Sequence, residues 1–347
     1  MRLRIYKVQQ MLGRGRSSIT YSGRDTKTGQ AVAIKEYAPG GLVIREKGRR
    51  IAVGANSHLR AFEEGLHEFK RRARTLSKIE HRNLARVIET FEQNSTVYAV
   101  MEHEKGEQLS SFFDCGQLRT EKDLLGVFLP LVDGLSAIHG IGLVHRDVKP
   151  GNILVRKDGS PVLLDFGATR RAIEYDSSAA GFTPPEQYRD RDGQLGPWSD
   201  IYALGATIYL GVTGKQPPDA LTRASALEKG ETDPYQPATF VAASSYSPGF
   251  LAAIDKALTL ETKKRPLRAG TWSRMLDGRL AQVASRTKPA GGEKTASQTT
   301  RSPVLTARRE TPSGRTPHAL VQGAADKTTP RTMKPVVALV AIGVGVA

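Results

Sequence analysis

Cysteine is almost absent from this sequence: Cys115 stands alone among 347 residues. One thiol excludes an intrachain disulfide and any structural zinc site built on several thiolates, and it fits a reducing compartment. The histidines lack metal-ligand spacing, so His58, His67, His81, His103, His139 and His318 read as ordinary side chains. No internal repeat is visible. The opening residues, MRLRIYKVQQ, lack the apolar stretch of a secretory signal, which predicts that the folded part stays in the cytoplasm. Aromatic residues are missing from Arg286 onward, all 22 lying before it. Residues 286–335 are instead rich in Ser, Thr, Pro, Gly and basic side chains. Such a segment cannot bury enough surface to order itself and reads as a disordered linker. Its four Ser/Thr-Pro steps, at Ser302, Thr311, Thr316 and Thr329, fit plain linker composition or regulatory phosphorylation.

What is present describes a globular protein. Hydrophobic residues make up 39% and charged residues 25%, which excludes a wholly disordered chain. The net charge is +16, and ten basic against three acidic residues from Arg286 onward supply much of it. That balance is compatible with nucleic acid, an anionic membrane or phosphorylated ligands, and alone does not choose among them. Residues 336–347 form an uninterrupted apolar run preceded by Arg331 and Lys334. Twelve residues reach about 18 Å as a helix, short of the roughly 30 Å hydrocarbon core, so the run reads as the start of a transmembrane helix with its basic side in the cytoplasm, or else as a frayed tail.

Residues 1–285 carry apolar runs and turn signals throughout. Short β-prone runs at 6–12, 19–24, 31–36, 87–93 and 96–102 are bounded by Gly, Asp or Asn. A helix is predicted over 59–79, with Phe62, Leu66, Phe69, Ala73, Leu76 and Ile79 at helical spacing. Beyond Leu124 the pattern turns helical, as at 124–138, 201–213 and 250–258. A small β-rich part precedes a larger helical one.

The strongest chemical signal is His145-Arg146-Asp147-Val148-Lys149-Pro150-Gly151-Asn152, followed by Leu163-Leu164-Asp165-Phe166-Gly167. An acid at Asp147 can accept the proton of an attacking hydroxyl. Asn152 and Asp165 can converge on magnesium across a β-hairpin, and Lys149 can reach a transferring phosphate as a point charge.

These residues resemble the signature of the protein kinases, and the wording Ile19-Thr20-Tyr21, Lys35-Glu36-Tyr37 and Pro185-Glu186-Gln187-Tyr188 resembles the bacterial, eukaryotic-like serine/threonine kinases. The resemblance runs from about Tyr6 to Leu280 and implies an α+β, bilobal kinase fold: a β-rich N-lobe over 1–105 and a helical C-lobe over 106–282. Val32-Ala33-Ile34-Lys35 resembles the V-A-I-K strand, so Lys35 would bind the α- and β-phosphates of ATP, with Ala33 beside it. Leu12, Gly13 and Gly15 resemble the Gly-rich loop. Met101 resembles the gatekeeper, the backbone of Glu102 and Glu104 would hold adenine, and Leu154 would floor the pocket. Glu186 stands where the family has A-P-E, Arg265 resembles its partner, and Asp200 resembles the buried aspartate of the long C-lobe helix. The resemblance implies ATP with magnesium, manganese being an alternative ion, and protein substrates bearing Ser or Thr, the chain itself included. It does not imply nucleic-acid binding. It also implies a cytoplasmic kinase domain that a linker and membrane segment anchor.

Three positions depart from the pattern. Ser18 replaces the third glycine of the Gly-rich loop, Arg72 occupies the place of the lysine-pairing glutamate, and Ala179 replaces a threonine seven residues before Glu186. A pseudokinase, a nucleotide-binding scaffold with little phosphotransfer, is therefore the alternative. For an active enzyme, Glu68, one helical turn before Arg72, is expected to pair with Lys35 while Arg72 turns to solvent or to an acidic neighbour. A phosphate on Thr169, Ser177, Ser178 or Thr183 could pair with Arg146 or Arg171 and order the loop, the alternative being constitutive activity from a short loop.

Overall fold

The computed structural model describes residues 2–46, 50–165, 179–188 and 194–278. Phe166, Gly167, Thr169, Arg171, Ser177 and Ser178 lie outside these residues, as do the linker at 286–335 and the apolar run at 336–347.

The chain opens with β1 (Arg2–Leu3), β2 (Tyr6–Arg14), β3 (Ser18–Asp25) and β4 (Ala31–Tyr37). A short hairpin follows, β5 (Val43–Arg45) with β6 (Ile51–Val53), then helix α1 (Leu59–Leu76) and strands β7 (Val87–Gln93) and β8 (Thr96–Glu102). Six of these strands form one antiparallel sheet in the order β1-β2-β3-β4-β8-β7. Period-two alternation sorts its side chains. Val32, Ile34, Tyr98 and Val100 join a cluster with Leu3, Tyr6 and Phe91 on one face. Ala33 and Met101, opposite one another in register, pack instead against the core of the helical part, and Lys35 faces Ala99 across the same ladder. Register alone thus aims Lys35 at the boundary between the two parts.

Past Glu102 the chain is mostly helical. Strand β9 (Glu107–Gln108) leads into α2 (Leu109–Asp114) and α3 (Glu121–Gly140), and the hairpin β10 (Ile153–Val155) and β11 (Pro161–Leu163) follows. Then come α4 (Pro185–Tyr188), α5 (Pro197–Thr213), α6 (Ala220–Glu228), α7 (Ala238–Val241), α8 (Pro248–Ala257) and α9 (Ala269–Leu276). Helix α3 starts on a capping box in which the Thr120 hydroxyl accepts from the Asp123 N–H and Asp123 accepts from the Thr120 N–H. Among the described residues α3 is long and apolar enough to cross a membrane, yet Leu124, Phe128, Leu131, Leu135 and Ile138 bury it in the core. That core also includes Leu76 of α1, Val87 of β7 and Met101 of β8, so one hydrophobic cluster spans both parts.

Helix α1 sits close to the sheet because Gly65 lets it. A β-carbon there would collide with the Tyr37 hydroxyl, and the Tyr37 ring also packs at a tilt against Phe62 and Phe69. In the helical part, Arg265 and Glu186 form a buried bidentate pair with contacts of 2.8 and 3.1 Å. The remaining polar atoms are satisfied: Ser199 donates to Glu186, while Arg265 donates to the carbonyls of Thr259, Leu260 and Trp198.

Two substitutions test this packing. Arg265→Met strands a buried carboxylate and should destabilise the protein by about 3–5 kcal/mol. Breaking the exposed Arg60–Glu64 pair should change stability by less than about 1 kcal/mol in the same urea titration. Gly65→Ala overpacks the contact with Tyr37 and should cost about 1–3 kcal/mol, part of which Tyr37→Phe recovers in the double variant.

Candidate active site

The segment from Val144 to Lys149 is an irregular loop that ends in a single 3-10 turn (Pro150–Asn152), and its conformation is imposed from outside. Arg146 adopts a left-handed backbone, φ 72°, and Asp165 another, φ 49°. Neither residue is a glycine, so each conformation costs energy that surrounding contacts must offset. Asp200, fully buried at the start of α5, accepts the N–H groups of His145 at 2.7 Å and Arg146 at 2.8 Å, and also bonds His139 Nε2 at 2.7 Å. Burial alone would raise the pKa of Asp200, but the hydrogen bonds from His139 and the Arg146 N–H hold it below the usual carboxylate range. Gln187 donates to the Arg146 carbonyl at 2.8 Å, tying the loop to α4.

His145 is fully buried, and burial lowers its pKa to about 4, so the ring is neutral. Its Nδ1 accepts from the Asp147 N–H at 3.3 Å, and its Nε2 lies 3.0 Å from the Leu164 carbonyl. The Nε2–H tautomer satisfies both contacts and links the loop to the segment carrying Asp165. Asp147 is held by its own neighbours. Asn152 Nδ2 donates to its carbonyl and to its carboxylate, each at 2.8 Å, and Lys149 Nζ lies 3.1 Å from that carboxylate.

Lys35 reaches this cluster from β4 and pairs with Asp165. Burial, with Arg72 and Lys149 close by, lowers its pKa to about 8 against the pull of Asp147. Thr20 stands opposite Lys35, and the turn between β2 and β3 closes with Gly15 donating to the Ser18 carbonyl at 2.8 Å. Ser18 is already paired with Tyr37 in the ladder, so the residue in place of a third glycine is part of the strand and not of the turn. Leu12 and Gly13 lie in β2 on the approach to that turn, and Leu154 lies in β10. Asn152 and Asp165 offer hard oxygen donors beside Lys149 and Lys35. Such a set fits a magnesium ion that shares its coordination with phosphates and water. Among the described residues no group of three or more His, Cys, Asp or Glu side chains is placed to hold a metal ion by itself.

The expectation for Glu68 and Arg72 is overturned. Glu68 pairs with Arg146 at 2.7 Å, and Lys35 pairs with Asp165 instead. Arg72 does not turn to solvent. It is 4% exposed, and its Nη2 donates to the Val144 carbonyl at 2.9 Å and the His145 carbonyl at 3.3 Å. The cause is placement: Arg72 lies on the buried stripe of α1 between Phe69, Ala73 and Leu76, which lead it inward. Arg146, expected to await a phosphate, already holds a carboxylate. Thr183, the one described hydroxyl of the expected phosphorylation segment, is buried and donates to the Ala179 carbonyl at 3.0 Å.

Sequence reasoning missed a further connection. Arg156, at the end of β10, makes a bidentate pair with Glu104 at 2.9 and 2.8 Å and donates to the Arg82 carbonyl at 2.9 Å. Glu104 is therefore fixed through its side chain, beside the segment expected to hold adenine through its backbone. Nothing local signals a pair 52 residues apart. Glu102, expected to act through its backbone, donates its N–H to the Arg86 carbonyl at 3.0 Å.

The comparisons agree with this geometry. The protein kinase domain family matches residues 6–272. The chain is 28% identical over 276 residues to the probable serine/threonine-protein kinase PknB of Corynebacterium glutamicum, covering 75% of this chain and 39% of that protein. It is 30% identical over 219 residues to the serine/threonine-protein kinase PknL of Mycobacterium tuberculosis, covering 61% of this chain and 50% of that one. The chain thus spans half or less of these two relatives. Among solved structures, the apo form of PpkA-294 superposes with a TM-score of 0.68 at 31% identity, covering 80% of this chain and 97% of that one. Rad53 residues 1–466 with AMP-PNP, at a TM-score of 0.59 and 19% identity, covers 79% of this chain and 66% of that one and is alike in fold. A bilobal fold, an acid held in a strained loop and a match over most of the chain lead to one conclusion: the chain belongs to the protein kinase domain family, among the bacterial, eukaryotic-like serine/threonine kinases.

Proposed function

We propose that this chain transfers the γ-phosphate of ATP to Ser or Thr hydroxyls of proteins in signalling, itself included, from a kinase domain spanning 1–285 in the cytoplasm. The observation that carries this reading is the restraint of Asp147 by Asn152 and Lys149 beside the Lys35–Asp165 pair. Asp147 orients the hydroxyl and takes its proton as oxygen bonds to the γ-phosphorus, while the bond to the β-phosphate oxygen breaks and ADP leaves. Lys35 holds the α- and β-phosphates, Lys149 faces the transferring group, and Asn152 with Asp165 would hold magnesium or manganese, which neutralises charge on the phosphates. Leu12, Gly13, Gly15, Ala33, Met101, Leu154 and the backbone of Glu102 and Glu104 would enclose the nucleotide.

Phosphate transfer from radiolabelled ATP, measured beside nucleotide affinity, tests the assignment. Asp147→Asn should lower turnover by about 10²–10⁴-fold with ATP affinity changed only a few-fold. Asp165→Asn should also lose magnesium-dependent nucleotide binding. Undiminished transfer in Asp147→Asn removes Asp147 from the mechanism, and ATP binding without transfer in the parent chain identifies a pseudokinase.

Residues 336–347, apolar throughout and preceded by Arg331 and Lys334, support membrane attachment through a linker. The full chain should then sediment with membranes, and a chain ending at Pro335 should not.

A further inference from the structure

Arg72 has an arrangement that core packing alone would not select. A methionine or leucine at this point of the buried stripe would fill the space without taking a charge out of water. Here the guanidinium is enclosed, its Nε has no hydrogen-bond partner among the described residues, and one nitrogen serves two carbonyls. A buried charge so incompletely satisfied is costly and is commonly improved upon by apolar residues. Its value therefore lies in what it holds, which is the peptide backbone immediately before the catalytic acid.

The contacts on that backbone form two opposed sets. Asp200, from α5, takes the N–H groups of His145 and Arg146. Arg72, from α1, gives to the carbonyls of Val144 and His145. The strained Arg146 is held in three ways: its N–H by Asp200, its carbonyl by Gln187 and its side chain by Glu68. Two of the restraining side chains, Glu68 and Arg72, stand four residues apart and so project from the same face of α1. Both reach the loop, and neither is the ion-pair partner of Lys35.

We propose that Arg72 is a positioning residue for Asp147: by gripping the Val144 and His145 carbonyls it couples helix α1 directly to the catalytic loop, in place of coupling that helix to Lys35. The inference rests on the kinase reading above. It sets an expectation opposite to that for a lost lysine partner. Damage at Arg72 falls on turnover, because Asp147 is displaced, whereas nucleotide affinity, which depends on Lys35 and Asp165, is spared.

The test uses the full chain and two readouts. In steady-state transfer from ATP to a protein substrate, Arg72→Met should lower kcat by about 10–100-fold, the scale of a misplaced catalytic group. ATP affinity should stay within about threefold in the same variant. Arg72→Lys, which can still donate to one carbonyl, should return kcat to within about tenfold of the parent, and Arg72→Glu should not raise it. In hydrogen exchange, Arg72→Met should speed exchange in the peptide covering 143–148 while β4 and β8 keep their protection. This second readout needs no activity, so a parent chain that transfers no phosphate defeats the kinase reading while the grip is still decided by exchange. Unchanged exchange at 143–148 overturns the proposal. So does an equal loss of kcat and ATP affinity, a uniform loss of protection through the whole domain, or activity gained by Arg72→Glu. Should Arg72→Met fail to fold, Arg72→Lys carries the exchange comparison, with partial loosening at 143–148 expected and none overturning it.

Discussion

The site depends on one buried carboxylate. Asp200 is fully buried and collects two backbone N–H groups and an imidazole, each within 2.8 Å. Hydrogen bonds to a charged acceptor contribute about 1.5–3 kcal/mol each, and a left-handed non-glycine residue costs about 1–3 kcal/mol. Two or three of the former outweigh the strain at Arg146, which explains how a loop with no regular structure presents Asp147 in one orientation. The loop conformation depends on the position of α5, which carries Asp200, and it gives Asn152 and Lys149 a fixed carboxylate to meet.

The same logic joins the two parts of the domain. The segment after α1 is stitched to β11, with Asn83 Nδ2 donating to the Pro161 carbonyl at 2.7 Å and the Ala85 N–H donating to the Leu163 carbonyl at 3.0 Å. The pair of Arg156 with Glu104 adds a second stitch on the side leading out of β8. Glu68 and Arg72 add a third, from the helix itself. In its contacts α1 therefore belongs as much to the helical part as to the sheet on which it packs, and the hydrophobic cluster that includes Leu76 and Met101 says the same.

The legible portion of this structure is the portion that chemistry fixes at short range. The five long strands of the sheet and α1 lie where alternation and helical spacing place them, with ends moved by a few residues. Asp147, Lys149 and Asn152 come together because they share one short stretch of chain, and both Asn152 and Lys149 meet the Asp147 carboxylate there. The hairpin β5–β6 was not visible, since its strands are three residues each and its turn reads as a polar loop. Arg45 anchors it by pairing with buried Glu36, which also accepts from the Tyr21 and Tyr98 hydroxyls, a network no local pattern announces. Arg72 was misread for a more general reason. Charge alone favours solvent for residue 72, whereas the stripe running through Phe69, Ala73 and Leu76 marks it as inward-facing.

That misreading also bears on how a departure from a family pattern is weighed. Taken alone, arginine in place of the glutamate is a lost partner for Lys35. Within the cluster it is one charge of a balanced set: Glu68 and Asp200 are negative, Arg72 and Arg146 positive, and the loop backbone lies among them. Burial and the neighbouring Arg146 lower the pKa of Arg72 to about 10, while Glu68 and Asp200 act in the opposite sense, so the guanidinium remains charged at neutral pH. A glutamate at the same point would leave three carboxylates facing one guanidinium, and the carbonyls of Val144 and His145 would face an acceptor instead of a donor. The arginine and the Glu68–Arg146 pair are therefore features of a single solution. The residue at 72 can be judged only together with the loop it holds.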